Sequence, residues 1–234
     1  MRRLFLALAT ALTLPGAVQA QSTEHPVVVE LYTSQGCSSC PPADAVLAEI
    51  AGRKGVIALA LHVDYWDYIG WKDTFGSKAN ATRQRAYAIF AGESMIYTPQ
   101  LVVNGSEKLV GTDVATLERL LSAAGGSTAH GPLIELTRNG GALKVRATSP
   151  RPLPDGTLVQ LVRYTPSAAV AIKRGENAGR TITYTNIVTS WEKVATWNGQ
   201  GTLNLDLSAN GEEPAVVIIQ EPGPGAILAA AVAR

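Results

Sequence analysis

Residues 33–42 read Thr33-Ser34-Gln35-Gly36-Cys37-Ser38-Ser39-Cys40-Pro41-Pro42 and contain both cysteines of the chain. An apolar run, Val27 to Tyr32, precedes this stretch, and a helical pattern, Ala43 to Ile50, follows it. The two patterns predict a strand that ends where a helix begins, with the cysteines at the N-terminus of that helix. Since the dipole of a helix favours a thiolate at this end, the stretch is typical of a dithiol redox site.

The first twenty residues have the three-part pattern of a secretory signal peptide. Arg2 and Arg3 precede an apolar run, Leu4 to Leu14, which is too short to span a bilayer, and small residues lead up to Ala20. We expect cleavage after Ala20, a secreted or periplasmic location, and no membrane insertion of the mature chain. Export would place the two cysteines where disulfides persist.

The charges of the chain are nearly balanced, with 20 Lys and Arg against 19 Asp and Glu in 234 residues. Such a composition provides no basic surface for nucleic acid or anionic membranes, so we expect neither as a partner. The chain is long enough for one large or two ordinary domains, and it therefore does not need a short disulfide to be stable.

The first half, residues 25–126, shows strand and helix patterns in alternation. After the helix at Ala43, the patterns predict a buried strand, a helix capped by Ser77, a hairpin at Asn104-Gly105 and a last helix. Their expected positions are Val56 to Val63, Ser77 to about Phe90, Leu101 to Val103 with Glu107 to Val110, and about Thr112 to Ala124.

Glu30 interrupts the first apolar run. One interpretation is a residue at the strand end that reaches solvent. The other is a buried carboxyl group that relays protons to the dithiol, because burial raises the pKa of a carboxyl group towards neutrality.

The second half, residues 130–234, follows a small-residue linker at Gly125-Gly126-Ser127 and is predicted to be all β. About eight short strands separated by turn residues suggest a β-sandwich. Its charged stretch, Lys173 to Arg180, is interpreted as a solvated hairpin loop or as a recognition loop for a protein or glycan. The expected strands are Leu133 to Thr137, Leu143 to Thr148, Thr157 to Tyr164, Ala168 to Lys173, Thr181 to Ser190, Thr202 to Leu207, Ala215 to Gln220 and Ala226 to Val232.

Three motifs of the first half resemble those of a family of bacterial secreted proteins of undefined function with a thioredoxin-like domain. They are Cys-Ser-Ser-Cys-Pro-Pro-Ala-Asp from Cys37, His-Val-Asp-Tyr-Trp-Asp from His62, and Tyr-Thr-Pro-Gln-Leu-Val-Val-Asn-Gly from Tyr97. The resemblance implies an α/β thioredoxin-like domain over residues 25–126, followed by the all-β sandwich-like domain.

The resemblance also implies roles for individual residues. Cys37 would be the attacking thiol and Cys40 the buried resolving thiol, while Pro99 would be a cis proline facing them. Thr98 would offer its backbone to an extended substrate, and Glu30 would take the place of the buried acid of thioredoxins. The spacing from Glu30 to Cys37 is one residue longer than in thioredoxin.

The segment from His62 to Trp71 is rich in aromatic and acidic residues and follows a strand. It therefore emerges at the carboxyl edge of the sheet, where sites form in α/β proteins and where Cys37 also lies. We expect either a lid over the core edge or contact with a substrate or partner through Asp64, Tyr65 and Trp66.

The function predicted from these features is that of an exported thiol-disulfide oxidoreductase acting on protein or small-molecule thiols and disulfides, with no cofactor beyond its own cysteines. No Lys or Arg lies within a dozen residues of Cys37, so the direction of electron flow stays open. One alternative is a secreted binding protein with a structural disulfide. Another is a copper or zinc site that adds histidines from His25, His62 and His130.

Overall fold

The computed structural model describes residues 18–21, 25–124 and 131–233. In the described part, β1 (Val18–Gln21) precedes the first half. The first half contains β2 (Val27–Thr33), α1 (Pro41–Ile50), β3 (Val56–His62), a 3-10 turn (Asp67–Ile69), α2 (Lys78–Phe90), β4 (Gln100–Val103), β5 (Glu107–Val110) and α3 (Val114–Ala124). The second half contains β6 (Leu133–Asn139), β7 (Ala142–Thr148), β8 (Leu158–Ala171), β9 (Thr181–Thr196), β10 (Leu203–Ser208), β11 (Ala215–Gln220) and β12 (Ile227–Ala233).

The fold is mixed α/β, with one large mixed sheet and a second, smaller sheet. The large sheet has the strand order β12-β11-β8-β9-β3-β2-β4-β5, and the small sheet has the order β1-β6-β7-β10. Strands β2 and β3 run parallel, whereas β4 pairs antiparallel with β2 and β5 antiparallel with β4. The parallel pair requires a crossover, and α1 supplies it.

The alternation of side chains along β2 separates two cores. Val27, Val29 and Leu31 pack beneath α1 together with Leu47, since every second residue of a strand points to the same face. Val28 and Tyr32 point to the other face, where α2 and the strands of the second half cover them. Strand β2 is therefore buried on both faces, as its β-branched run predicts.

The second half packs its two sheets face to face through an apolar layer. Ile134, Leu136 and Val145 of the small sheet contact Val159 and Val217 of the large one within one core. The large sheet, however, continues from β9 into β3, where Ala60 pairs in parallel with Ile187. The large sheet thus contains strands from both halves of the chain, although the sequence predicts a domain boundary between them.

Two predicted strands of the second half are one strand. The sequence predicts separate strands at Thr157 to Tyr164 and at Ala168 to Lys173, but β8 continues from Leu158 to Ala171. The ladder with β9 skips Pro166, and Asn186 on the opposite side adopts a left-handed φ of 50°. Because Pro166 sits where the ladder is interrupted, its missing N–H removes no hydrogen bond.

Several sequence expectations fall on residues outside the described part. These include most of the signal segment and the linker at residues 125–127. The end of the expected signal segment is described: Val18–Gln21 forms an edge strand paired antiparallel with β6. Among the described residues, no helix has the length and apolar character that crossing a membrane requires.

Candidate functional site

The two cysteines form a disulfide at the start of α1. Their Cα atoms are 5.4 Å apart, and Cys40 is the N-cap residue of the helix. Pro41 and Pro42 occupy the first turn, where the missing N–H groups have no intrahelical partner. The hydroxyl of Ser39 donates towards Cys37, with its Oγ 3.4 Å from Cys37 Sγ.

The loop before the disulfide is anchored by Gln35, which is fully buried. Its backbone N–H donates to Asp73 Oδ2 over 2.7 Å, and its side-chain oxygen accepts from the indole of Trp71 over 2.8 Å. Its amide nitrogen donates to Thr74 Oγ1. The segment after β3 therefore fixes the backbone that leads into Cys37.

The Thr98–Pro99 peptide bond is cis, which is the isomer that the resemblance implies. Pro99 is buried beside Gly111, and an added Cβ on that glycine would lie 2.7 Å from both Pro99 and Ala43 of α1. The loop that carries Thr98 and Pro99 thus lies against the helix that carries Cys40.

The aromatic segment after His62 packs on the disulfide loop and on Thr98. The indole of Trp66 donates to Thr98 Oγ1 over 2.7 Å, and an added Cβ on Gly36 would lie 3.2 Å from Trp66 Cβ. Tyr65 instead donates its hydroxyl to Gln84 of α2. Of the three residues predicted to contact a substrate, Trp66 lies beside the disulfide loop, Tyr65 is engaged with α2, and Asp64 is half-buried.

The structure corrects the proton-relay role predicted for Glu30. The side chain is 0% exposed, so it does not reach solvent, but it lies on the face of β2 opposite α1. Arg83 donates to both of its oxygens over 2.8 and 2.9 Å, and the hydroxyls of Tyr32 and Tyr87 donate to them as well. Glu30 is therefore half of a buried ion pair in the second core.

The buried acid near the cysteines is Asp44, which the sequence patterns did not single out. Asp44 follows Cys40 by one turn of α1, and residues four apart share a face, with side chains tilted towards the helix N-terminus. Thr33 Oγ1 donates to Asp44 Oδ1 over 2.8 Å, while Oδ2 has no hydrogen-bond partner among the described residues. Burial raises the pKa of Asp44 to about 6, although the nearby His62 and the Thr33 hydrogen bond oppose this shift.

His62 and Asp73 form a buried pair beside Asp44. His62 Nδ1 lies 2.8 Å from Asp73 Oδ2, and both side chains are inaccessible to solvent. Burial alone would raise the pKa of Asp73, but the hydrogen bond and charge of His62, together with the N–H groups of Gln35 and Phe75, lower it below its usual value. With Asp73 ionised, Nδ1 of His62 is the donor. Nε2 is buried and lacks a partner among the described residues.

The charged stretch Lys173 to Arg180 is not simply a solvated loop. It is the turn between β8 and β9, and its tip contacts the backbone on either side of Cys37 through Glu176 and Asn177. Neither residue could be assigned to the site from the sequence, because both are far from the cysteines along the chain.

The metal alternative draws on His25, His62 and His130, of which the structure describes the first two. His62 faces Asp73, and His130 lies outside the described residues. In residues 18–21, 25–124 and 131–233, no three His, Cys, Asp or Glu side chains are grouped so that they could hold a metal ion.

Fold and site together define a mixed α/β protein with a C-x-x-C disulfide at a helix N-terminus. Residues 28–220 match the family described as "protein of unknown function (DUF1223)", and the chain belongs to that family. No curated protein matches the chain.

Two solved structures are similar to the chain. A crystal structure of a protein from Agrobacterium tumefaciens is 30% identical, with a TM-score of 0.75, and the match covers 90% of this chain and 95% of that one. HBP35 of Porphyromonas gingivalis is 13% identical with a TM-score of 0.64, covering 91% of this chain and 76% of that one, so this likeness concerns the fold alone.

Proposed function

We propose that the protein is an exported thiol-disulfide oxidoreductase whose first half is a thioredoxin-like domain. The observation that carries the proposal is the Cys37–Cys40 disulfide at the N-terminus of α1, one turn before the buried carboxyl group of Asp44. The loop of Pro99 lies against the same helix through Gly111. The parallel β2–β3 pair joined by α1, with β4 and β5 antiparallel at the other edge, supports the thioredoxin-like assignment.

In the proposed reaction the Cys37 thiolate attacks one sulfur of a substrate disulfide. The substrate S–S bond breaks, one substrate sulfur leaves as a thiolate, and a mixed disulfide forms on Cys37. Cys40 then gives its proton to the Asp44 carboxylate and attacks Cys37 Sγ. The second substrate thiol is released, and two electrons have passed to the substrate. The reverse sequence oxidises a dithiol.

Asp44 suits this role because its pKa of about 6 lies close to neutrality, which allows the carboxyl group to accept and return a proton. Its Oδ2 atom, which has no hydrogen-bond partner among the described residues, is available to hold that proton.

The second candidate is a binding protein in which the disulfide is static, and burial of the cysteines favours it. Cys37 is 1% exposed and Cys40 is 0% exposed, which limits attack by an external thiol. A disulfide of this kind protects two thiols and takes no part in exchange.

Equilibration with glutathione buffers, followed by acid quenching and a gel-shift alkylation of free thiols, separates the two functions. We expect a midpoint within the range of exchange proteins, about −120 to −270 mV, whereas a midpoint below about −300 mV would assign the disulfide a structural role.

Trapping provides an independent test in cells. The Cys40→Ser variant keeps the attacking thiol but cannot resolve the mixed disulfide, so it should accumulate covalent complexes that dithiothreitol releases. The Cys37→Ser variant is the matched control and should trap few. Equal and negligible trapping by both variants would contradict exchange as the function.

A further inference from the structure

The turn between β8 and β9, residues 172–180, closes over the disulfide loop. The side-chain nitrogen of Asn177 donates to the carbonyl oxygens of Gln35 and Cys37 over 3.0 and 2.9 Å, and Asn177 itself is 1% exposed. Arg180 donates to the amide oxygen of Asn177 over 3.0 Å, which orients the amide with its nitrogen towards the cysteine. The side chain of Asn177 thus links the second half of the chain to the backbone around Cys37 by two hydrogen bonds.

Glu176 brings a carboxylate to the residue between the cysteines. The N–H of Ser38 donates to Glu176 Oε2 over 3.3 Å. Pro41 and Pro42 carry no N–H and so offer no backbone donor to a thiolate, whereas the N–H of Ser38, the residue next to Cys37, can stabilise one. That donor is engaged by the negatively charged carboxylate of Glu176.

Two segments of the chain restrict access to the disulfide. Ser38 and Ser39 are exposed, whereas the cysteines that flank them are buried. In the aromatic segment, Trp66 and Ile69 lie against Gly36, and in the turn Glu176 and Asn177 bond to the backbone of Ser38 and Cys37. A thiol that approaches Cys37 past Ser38 must displace or pass this turn.

We propose that Glu176 and Asn177 are specificity-determining residues of the dithiol site, and this inference rests on the proposed exchange function. Asn177 holds the turn on the disulfide loop and so limits the rate at which any thiol reaches Cys37. The carboxylate of Glu176 lies beside the point of attack and disfavours anionic thiols relative to cationic ones. The site therefore selects neutral or cationic thiol partners.

The preference among thiols can be measured as the rate at which two equivalents of a monothiol reduce the disulfide. The first thiolate attacks Cys37 Sγ, the bond to Cys40 breaks, and Cys40 leaves as a thiolate that takes up a proton. The second thiolate attacks the sulfur of the first monothiol, which frees Cys37 and forms the oxidised dimer of the monothiol. Two electrons pass to the protein, and both cysteines are reduced.

A pair of small monothiols of opposite charge tests the role of Glu176. Reduction of the oxidised full-length protein is timed with cysteamine and with 3-mercaptopropionate at low ionic strength, and the ratio of the two rates is compared between variants. Glu176→Gln keeps an acceptor for Ser38 but removes the charge, so we expect the cysteamine preference to fall about tenfold. The effect should shrink as salt is added.

Glu192→Gln is the matched control, because it removes an exposed carboxylate from β9 away from the contacts of the turn. Its rate ratio should equal that of the wild type. An unchanged ratio in Glu176→Gln, or an equal change in Glu192→Gln, would overturn the role of Glu176.

Asn177→Ala tests the restriction of access. Loss of two hydrogen bonds should raise the rates with both monothiols by about tenfold while leaving their ratio near the wild-type value. Thermal unfolding of the oxidised variant shows whether it is folded, and the exposed Glu176 substitution keeps the proposal testable if it is not. Unchanged rates in a folded Asn177→Ala would overturn the restriction. A wild-type disulfide that even dithiothreitol fails to reduce would instead count against the proposed exchange function.

Discussion

At the scale of single residues, the titration of Asp44 makes the free energy of unfolding depend on pH. Its pKa of about 6 lies above the ordinary 3.8 because the folded protein buries it. In an unfolded chain the carboxyl group loses its proton at lower pH, so the unfolded state binds fewer protons between about pH 4 and pH 6. The contribution of protonated Asp44 to the free energy of unfolding is therefore fully present below about pH 4, and it is lost as the pH rises through about 6.

Asp44→Asn removes this pH dependence. Relative to the variant, the oxidised wild-type protein should lose roughly 3 kcal/mol of unfolding free energy between pH 4 and pH 8. Urea unfolding of both proteins at the two pH values measures the difference. An exposed substitution, Asp206→Asn, should follow the wild type, and an Asp44→Asn variant that also follows it would show that Asp44 titrates normally.

The ion pair between Glu30 and Arg83 makes a separate prediction about stability. Arg83→Met leaves the Glu30 carboxylate buried without its cation, which should cost about 3 to 5 kcal/mol in urea unfolding at neutral pH. Arg53→Met is the matched control, because Arg53 pairs with the partly exposed Glu49 and Glu118 and should cost no more than about 1 kcal/mol. Similar losses in the two variants would show that burial does not set the strength of the pair.

The sequence allowed the cysteines to be placed, but it did not distinguish between the two buried acids. Glu30 stood out because it interrupts an apolar run, whereas its face of the strand depends on which side α1 packs. Asp44 carried a usable signal, since a residue four positions after Cys40 on a helix shares its face. No signal in the sequence indicated the pairing of His62 with Asp73, because the path of the loop between them could not be predicted.

At the scale of elements, the contact between the Pro99 loop and α1 depends on Gly111. A methyl group on this residue would meet Ala43 and Pro99 at 2.7 Å, closer than side chains pack. Gly111→Ala should therefore destabilise the oxidised protein by about 1 to 3 kcal/mol and move the glutathione midpoint of the disulfide.

Gly52, just beyond α1, is the control for this substitution, because an added Cβ there meets nothing within 4 Å. Gly52→Ala should change the unfolding free energy by less than about 0.5 kcal/mol and leave the midpoint in place. If the redox midpoint of the disulfide is the same in Gly111→Ala as in the wild type, the packing of Gly111 against Pro99 and Ala43 does not influence the cysteines.

Elements of the first half could be predicted closely because each has a local signal. The prolines at the start of α1, the Ser77 cap of α2 and the left-handed Asn104-Gly105 turn occur where the sequence places them. The long β8 could not be predicted in this way. Pro166 is compatible with one strand because the β8–β9 ladder has no pair at this position, where Asn186 of β9 adopts a left-handed φ.

At the scale of the whole molecule, the two halves share a sheet and a core. The apolar face of β2 and β3 that α2 leaves open is covered by Val162, Val188 and Ile218 of the second half. Gln220 of β11 also accepts from Arg83 and donates to Tyr87. Sequence patterns suggested separate units because the composition changes at the linker, whereas pairing between distant strands has no local signature.

This shared sheet predicts that the two halves unfold together. The four tryptophans divide evenly, with Trp66 and Trp71 in the first half and Trp191 and Trp197 in the second. In a Trp191→Phe, Trp197→Phe variant, fluorescence reports the first half alone, while far-UV circular dichroism reports the whole chain. The two urea transitions should coincide, as they do for a cooperative unit.

The reciprocal variant, Trp66→Phe with Trp71→Phe, reports the second half and should give the same coincidence. Residues 25–126 expressed alone should not form a stable fold, because the fragment would expose the edge of β3 and the apolar face that the second half covers. Two separated transitions, or a protease-resistant fragment, would establish instead that the first half is an autonomous domain, and the contacts of Glu176 and Asn177 would then join two units that fold separately.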